Sequence, residues 1–150
     1  MENRVEKAVA FFKDGYNCSQ SVVAAYADLY GFTQEQALKM SASFGGGIGR
    51  MRQTCGAACG LFLLAGLESG CTEGKDREGK EANYKMVQEF AEEFKKRNGS
   101  LICAELLGLS KSAPTPTTPE QRTAEYYKKR PCVKMVEEAA RIFGEYLENR

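Results

Sequence analysis

Six cysteines and no histidine define the chemistry open to this 150-residue chain. Without histidine there is no Ser-His-Asp or Cys-His pair, no His-bearing zinc finger and no CxxCH haem attachment. Reactions near neutral pH must therefore come from thiols, carboxylates, amines or a bound cofactor. The cysteines stand at 18, 55, 59, 71, 103 and 132. A free cysteine can also serve as a small buried hydrophobe, so position has to separate the two uses.

Four of the six fall where a helix is expected to begin. Cys18 follows Asn17, Cys55 follows Thr54, Cys103 comes three residues after Ser100, and Cys132 follows Pro131. The first turn of a helix presents unpaired backbone N–H groups and the positive end of the helix dipole. Both stabilise a thiolate, the form that attacks disulfides and binds metals. A cysteine used only for packing has no reason to prefer such places.

The elements that must hold these residues read as helical nearly throughout. Val5, Ala8, Val9 and Phe12 make one face of a first helix ending near Asp14-Gly15. Asn17 with Gln20, and Thr33 with Gln36, form capping boxes for a second and a third helix. The second is expected to run through Val22, Val23, Tyr26 and Leu29 to Gly31, and the third through Leu38 and Met40. Phe44-Gly45-Gly46-Gly47-Ile48-Gly49 breaks the pattern. Thr54 is expected to cap a helix over about 55–68 that is apolar nearly all round, hence the buried centre of the fold.

A glycine-rich, charged stretch from Ser69 to Lys80 reads as a surface loop. A long amphipathic helix follows from about Gly79 to Arg97, with Tyr84, Val87, Phe90, Ala91 and Phe94 on one face, and Asn98-Gly99 ends it. Ser100 is expected to cap a short helix, Leu101 to Leu107. Ser112 to Pro119, with three prolines, is an extended linker. Thr118 as cap, Pro119 and Gln121 are expected to restart a helix, and Pro131 another that runs to the C-terminus. No stretch alternates as a strand would. The expectation is an all-α, single-domain bundle of six to eight helices spanning 1–150.

The remaining features carry blander readings beside functional ones. Cys59 lies one turn after Cys55 and reads as a small core residue, with a resolving thiol as the alternative; Cys71 reads as an incidental loop thiol. Gly56 and Gly60, four apart, suit close helix packing. Gly45 to Gly49 with Arg50 and Arg52 could cradle a phosphate, but no GxGxxG or GxxxxGK[ST] spacing is present, so a tight turn approaching the cysteines is the preferred reading. Glu105, two residues past Cys103, either orients a ligand or holds a proton, or else faces solvent.

Taken together, Asn17-Cys18-Ser19-Gln20, Phe44-Gly45-Gly46-Gly47, Cys55-Gly56-Ala57-Ala58-Cys59-Gly60, Cys103-Ala104-Glu105-Leu106 and Cys132 resemble the bacterial and archaeal C_GCAxxG_C_C family of redox-active proteins. The resemblance runs from about residue 15 to Val136. It matches Cys18, Cys55, Cys103 and Cys132 to the family's four cysteines, puts Cys59 at a variable position and leaves Cys71 outside. A related domain accompanies haem and an iron–sulfur site in split-Soret cytochrome c. This chain lacks CxxCH, so the resemblance implies no haem here.

Composition bounds the rest. The 43% hydrophobic and 27% charged residues describe a globular chain rather than a disordered tail. A net charge of +1 gives no electrostatic reason for a nucleic-acid partner. The longest apolar run, around Leu61 to Ala65, is far below the ~20 residues of a membrane span, and the apolar stretch behind the N-terminus is too short for a signal peptide. A cytoplasmic location is expected.

Three functions compete. In the first, the thiolates of Cys18, Cys55, Cys103 and Cys132 converge on one iron–sulfur cluster or other metal ion for electron transfer. In the second, the same residues are the catalytic redox thiols, acting as reversible disulfide pairs. In the third, a helical adaptor uses its cysteines for packing. The first two call for a redox partner protein that the sequence does not name, and homo-oligomer formation is left open.

Overall fold

The computed structural model describes residues 1–150. The chain folds into eight α-helices: α1 Glu2–Lys13, α2 Cys18–Ala24, α3 Gln34–Ser41, α4 Gly56–Ser69, α5 Arg77–Asn98, α6 Cys103–Leu106, α7 Ala124–Lys129 and α8 Cys132–Asn149. There are no strands. One isolated antiparallel bridge joins Thr54 to Ile102.

α4 is the central helix. Its first half carries only small side chains on one side, and α2 closes onto it there. A Cβ on Gly60 would lie 2.9 Å from Cβ of Val22, and one on Gly56 would lie 3.3 Å from Cβ of Cys18. The two glycines thus permit the expected close packing and bring Cys18 next to the start of α4. Leu61, Leu64 and Ala65 turn the second half of α4 into the core shared with α5 and α8. α8 contributes Met135, Val136, Ala139, Ala140 and Phe143 at helical spacing. α1 lies across α8 and α2, burying Val5, Ala8 and Phe12.

Tyr26 is fully buried at the meeting of these layers. Its hydroxyl donates to the Ala140 carbonyl at 2.7 Å, and its ring stands edge-on to Phe143 with centroids 5.0 Å apart. At the surface Arg97 ties α5 to α8 through Glu138 and Glu145.

Both capping boxes are present as read, on Asn17 and Thr33. Five expectations need correction. The second helix stops at Ala24, and a 3₁₀ turn, Ala27–Tyr30, completes the run to Gly31. Thr54 does not cap α4: it is engaged in the bridge, and Cys55 itself takes the cap position. The long helix is capped by Asp76, whose side chain accepts from the Gly79 N–H, and Tyr84 stands on its exposed side rather than in the core. Ser100 does not cap α6: its hydroxyl accepts from the Ile102 N–H, and Ile102 takes the cap position. Finally, no helix starts at Thr118. The extended segment continues to Thr123, which caps α7 by accepting from the Tyr126 N–H. Arg50 explains the delay, because it binds the carbonyls of Pro116 and Thr118 and holds that backbone extended.

Candidate functional site

The four cysteines expected at helix starts line one cavity of about 310 Å³. Cys18, Cys103 and Cys132 are the first residues of α2, α6 and α8, and Cys55 is the N-cap of α4. Each is placed by a different local device. Cys18 is fixed by the Asn17 box; the Asn17 amide also donates to the Ala42 carbonyl at 2.9 Å, anchoring α2 to the end of α3. Cys55 and Cys103 are set by the bridge. The Cys55 N–H donates to Leu101 O at 2.6 Å, and the Cys103 N–H donates to Gln53 O at 2.7 Å. Cys132 follows Pro131, whose carbonyl accepts from the Met135 N–H in the first turn of α8.

The glycine-rich loop lines the same cavity. Gly46 through Arg50, and Arg52, have positive φ. Ile48, Arg50 and Arg52 are non-glycine residues in that region, and for a β-branched residue such as Ile48 it is a strained conformation. This left-handed run lets the loop press onto the thiols: a Cβ on Gly47 would lie 2.6 Å from Cβ of Cys103. It also turns Arg50 and Arg52 into the cavity, and Arg52 Nη1 reaches the Cys103 sulfur at 3.6 Å. The tight-turn reading of the glycines therefore describes the structure.

The thiols differ sharply in character. Burial pushes Cys55 up to about 12, against the opposing pull of the Ala57 and Ala58 amides. Burial also raises Cys103, and Arg52 counteracts it. Cys132 goes the other way and is lowered to about 7, chiefly because the Cys18 thiol acts as a proton donor toward its sulfur, then because Arg130, Arg122 and Arg52 favour its negative charge. Cys18 is raised well above its ordinary value by the same pairing and by burial. The pairing favours the proton on Cys18 and the negative charge on Cys132. Cys132 is also the more exposed of the two, and none of the six cysteines is in a disulfide.

Cys59 and Cys71 stand apart from the cavity lining. Cys59 is buried, with its sulfur 3.7 Å from the Thr54 carbonyl. Cys71 lies in the 70–76 loop, with its sulfur near the carbonyls of Glu73 and Asp76. Glu105 is exposed and accepts a hydrogen bond from Ser100 at 2.8 Å, so it takes no part in the cavity. Sequence reading missed Arg122 and Arg130, which come from the segment after the proline linker and line the cavity beside Cys132. Nothing in their local sequence distinguishes them from surface arginines; only the tertiary fold brings them in.

A soft-metal centre needs several sulfurs around one point. The donor chemistry is right, but no three Cys, Asp or Glu side chains are grouped so as to hold a metal ion. As arranged, the four thiols share a cavity without forming a coordination site.

No helix is long and apolar enough to cross a membrane. No curated protein and no solved structure matches the chain. The family model that does match carries the description "Putative redox-active protein (C_GCAxxG_C_C)" and covers residues 16–146, which contain all four cysteines of the cavity and every lining residue except Phe12. The chain belongs to the C_GCAxxG_C_C family of redox-active proteins.

Proposed function

We propose that this protein is a thiol–disulfide redox protein, in which Cys132 is the attacking thiolate and Cys18 the thiol that resolves it. The observation that carries this reading is the Cys18–Cys132 pair: a buried thiol beside a more exposed sulfur that is held below the ordinary thiol range first by that thiol's hydrogen bond and then by three arginines. A low-pKa, accessible thiolate next to a second thiol is the arrangement that thiol exchange requires. Burial raises Cys55 and Cys103, which leaves them less ready to attack than Cys132. Mild oxidation of the reduced protein followed by non-reducing peptide mapping tests the assignment. A Cys18–Cys132 disulfide formed ahead of any other is expected. Oxidation that leaves both residues alkylatable would overturn it.

A second reading is favoured by a different observation: all four family cysteines line the same cavity, together with four arginines. An iron–sulfur cluster ligated by four thiolates is anionic, and positive side chains would offset its charge. That reading requires the four sulfurs to swing toward a common centre. Anaerobic purification with iron and acid-labile sulfide analysis tests it. Metal-free protein that cannot be reconstituted would remove it.

A further inference from the structure

The cavity is electropositive far beyond what the chain as a whole would give. Four guanidiniums line it, those of Arg50, Arg52, Arg122 and Arg130, with one carboxylate, Glu120. Against that carboxylate and the Cys132 thiolate, the excess is two positive charges in one cavity of a protein whose net charge is +1. Glu120 is shared between Arg50 and Arg130 and is itself about half exposed. Arg122 is held by the carbonyls of Phe12 and Tyr16 and stacks 4.3 Å above the Phe12 ring. The one side-chain hydrogen bond Arg52 makes is to the Cys103 sulfur. Neither of these two has a carboxylate partner. Carbonyls and thiols satisfy N–H donors without neutralising the charge. Burial, then the neighbouring Arg52 and Arg130, push the Arg50 guanidinium down from its ordinary value, as expected where cations are crowded together. The loop that turns Arg50 and Arg52 inward does so from strained, left-handed backbone, a cost that surface arginines would have no reason to incur.

From this we infer that the cavity takes a small anionic disulfide, its negative groups held by the unpaired guanidiniums of Arg52 and Arg122 and its sulfurs presented to Cys132. The inference rests on the thiol-exchange reading and names its substrate class. The Cys132 thiolate attacks one substrate sulfur, forming a mixed disulfide and releasing the other half as a thiolate. Cys18 then attacks the Cys132 sulfur and gives up its proton. The Cys18–Cys132 disulfide forms, and the second half leaves as its thiol. The substrate disulfide is reduced by two electrons and the protein dithiol is oxidised by two. Arginine is suited to the recognition step because its planar fork matches carboxylate and phosphate oxygens.

The test compares three aliphatic disulfides with the reduced protein near neutral pH: dithiodipropionate (two carboxylates), hydroxyethyl disulfide (neutral) and cystamine (two ammonium groups). The readout is the ratio of rates, because Arg52 also supports the Cys132 thiolate and its loss would slow every probe alike. In the native protein the dianion should react at least about tenfold faster than the neutral probe, and cystamine more slowly than either, as focused charge in a cleft dictates. Arg52→Gln should bring the anionic-to-neutral ratio to within about threefold, Arg52→Lys should retain most of it, and Lys85→Gln on the exposed face of α5 should leave it unchanged. Equal rates for anionic and neutral probes in the native protein, or a ratio that Arg52→Gln and Lys85→Gln lower equally, would overturn the inference while leaving thiol exchange at Cys132 in place. Failure of all three probes to form a mixed disulfide at Cys132 would overturn thiol exchange itself, and the inference with it.

Discussion

Cys18 and Cys132, from opposite ends of the chain, stand as proton donor and proton-poor sulfur across one cavity. Their pKa values move in opposite directions, and arginine charge reaches Cys132 from three positions. Alkylation of Cys132, resolved by mass spectrometry, should therefore lose rate only as pH falls through about 7, whereas an ordinary thiol does so through its reference value of 9.0. The sign follows from the reactive form: above its pKa Cys132 is already thiolate, below it the rate falls about tenfold per unit. Cys18→Ala removes the donor, so the inflection should move upward. An inflection that stays near 9.0 in the native protein would mean the pair is not coupled.

Substitution of the cavity cysteines separates the two redox readings. Under thiol exchange with the reduced protein, Cys132→Ser should abolish the mixed disulfide with small disulfides, Cys18→Ser should trap it unresolved on Cys132, and Cys55→Ser and Cys103→Ser should still form the Cys18–Cys132 disulfide. In a four-ligand metal centre, losing any of the four should damage the centre, because a serine oxygen is a poor soft-metal ligand. Cys71→Ser should leave either activity intact. Cys59→Ser should cost less than about 1 kcal/mol, since the new hydroxyl finds the Thr54 carbonyl that the sulfur already faces. A flat response across all six positions would contradict both readings.

Local signals in the sequence were sufficient where the deciding interactions were local. Asn17 and Gln20, or Thr33 and Gln36, satisfy each other within one turn, so both caps were legible. The all-round apolar character of α4 announced a central helix, although its exposed far end around Gly66 did not show. Thr54, Ser100 and Thr118 were misread as caps because each is claimed by something distant or differently bonded: a bridge to Ile102, a turn onto Ile102, and the Arg50 side chain gripping the adjacent backbone. The same limit applies to the site. Helix-start cysteines could be read from their neighbours; the charge from Arg122 and Arg130 depends on how the proline-rich segment folds back, which no local pattern encodes.

Alkaline pH should destabilise the fold through Cys55 and Cys59. Burial is the first cause in both, raising Cys55 to about 12 and Cys59 to about 11. The folded state keeps these protons after the unfolded chain has lost them. Their stabilising contribution is thus complete below the unfolded value of 9.0 and is lost as pH rises through the folded values. Between those limits each thiol should lower stability by about 1.4 kcal/mol per pH unit. Urea midpoints measured across this range should fall with pH, and Cys59→Ala should make the fall shallower. A slope unchanged in Cys59→Ala would show that Cys59 does not titrate with unfolding.

Two glycines in the strained loop separate backbone strain from contact with the site. Gly47 and Gly49 both have positive φ, +76° and +57°. A Cβ at Gly49 would meet nothing closer than Ser43 O at 3.9 Å, so Gly49→Ala should lose only the left-handed penalty, about 1–2 kcal/mol. A Cβ at Gly47 would also lie 2.6 Å from Cβ of Cys103 and 2.8 Å from Cα of Arg52, neither the free end of a flexible side chain. Relief has to come from moving the loop or the start of α6. Gly47→Ala should therefore cost about 1–3 kcal/mol more than Gly49→Ala in chemical unfolding. It should also displace Arg52 from the Cys103 sulfur, so that Cys103 alkylates more slowly at a given pH as it loses the guanidinium's support for its thiolate. Equal stability losses in the two variants, with Cys103 reactivity unaltered, would mean that the loop does not press on the cysteine cavity.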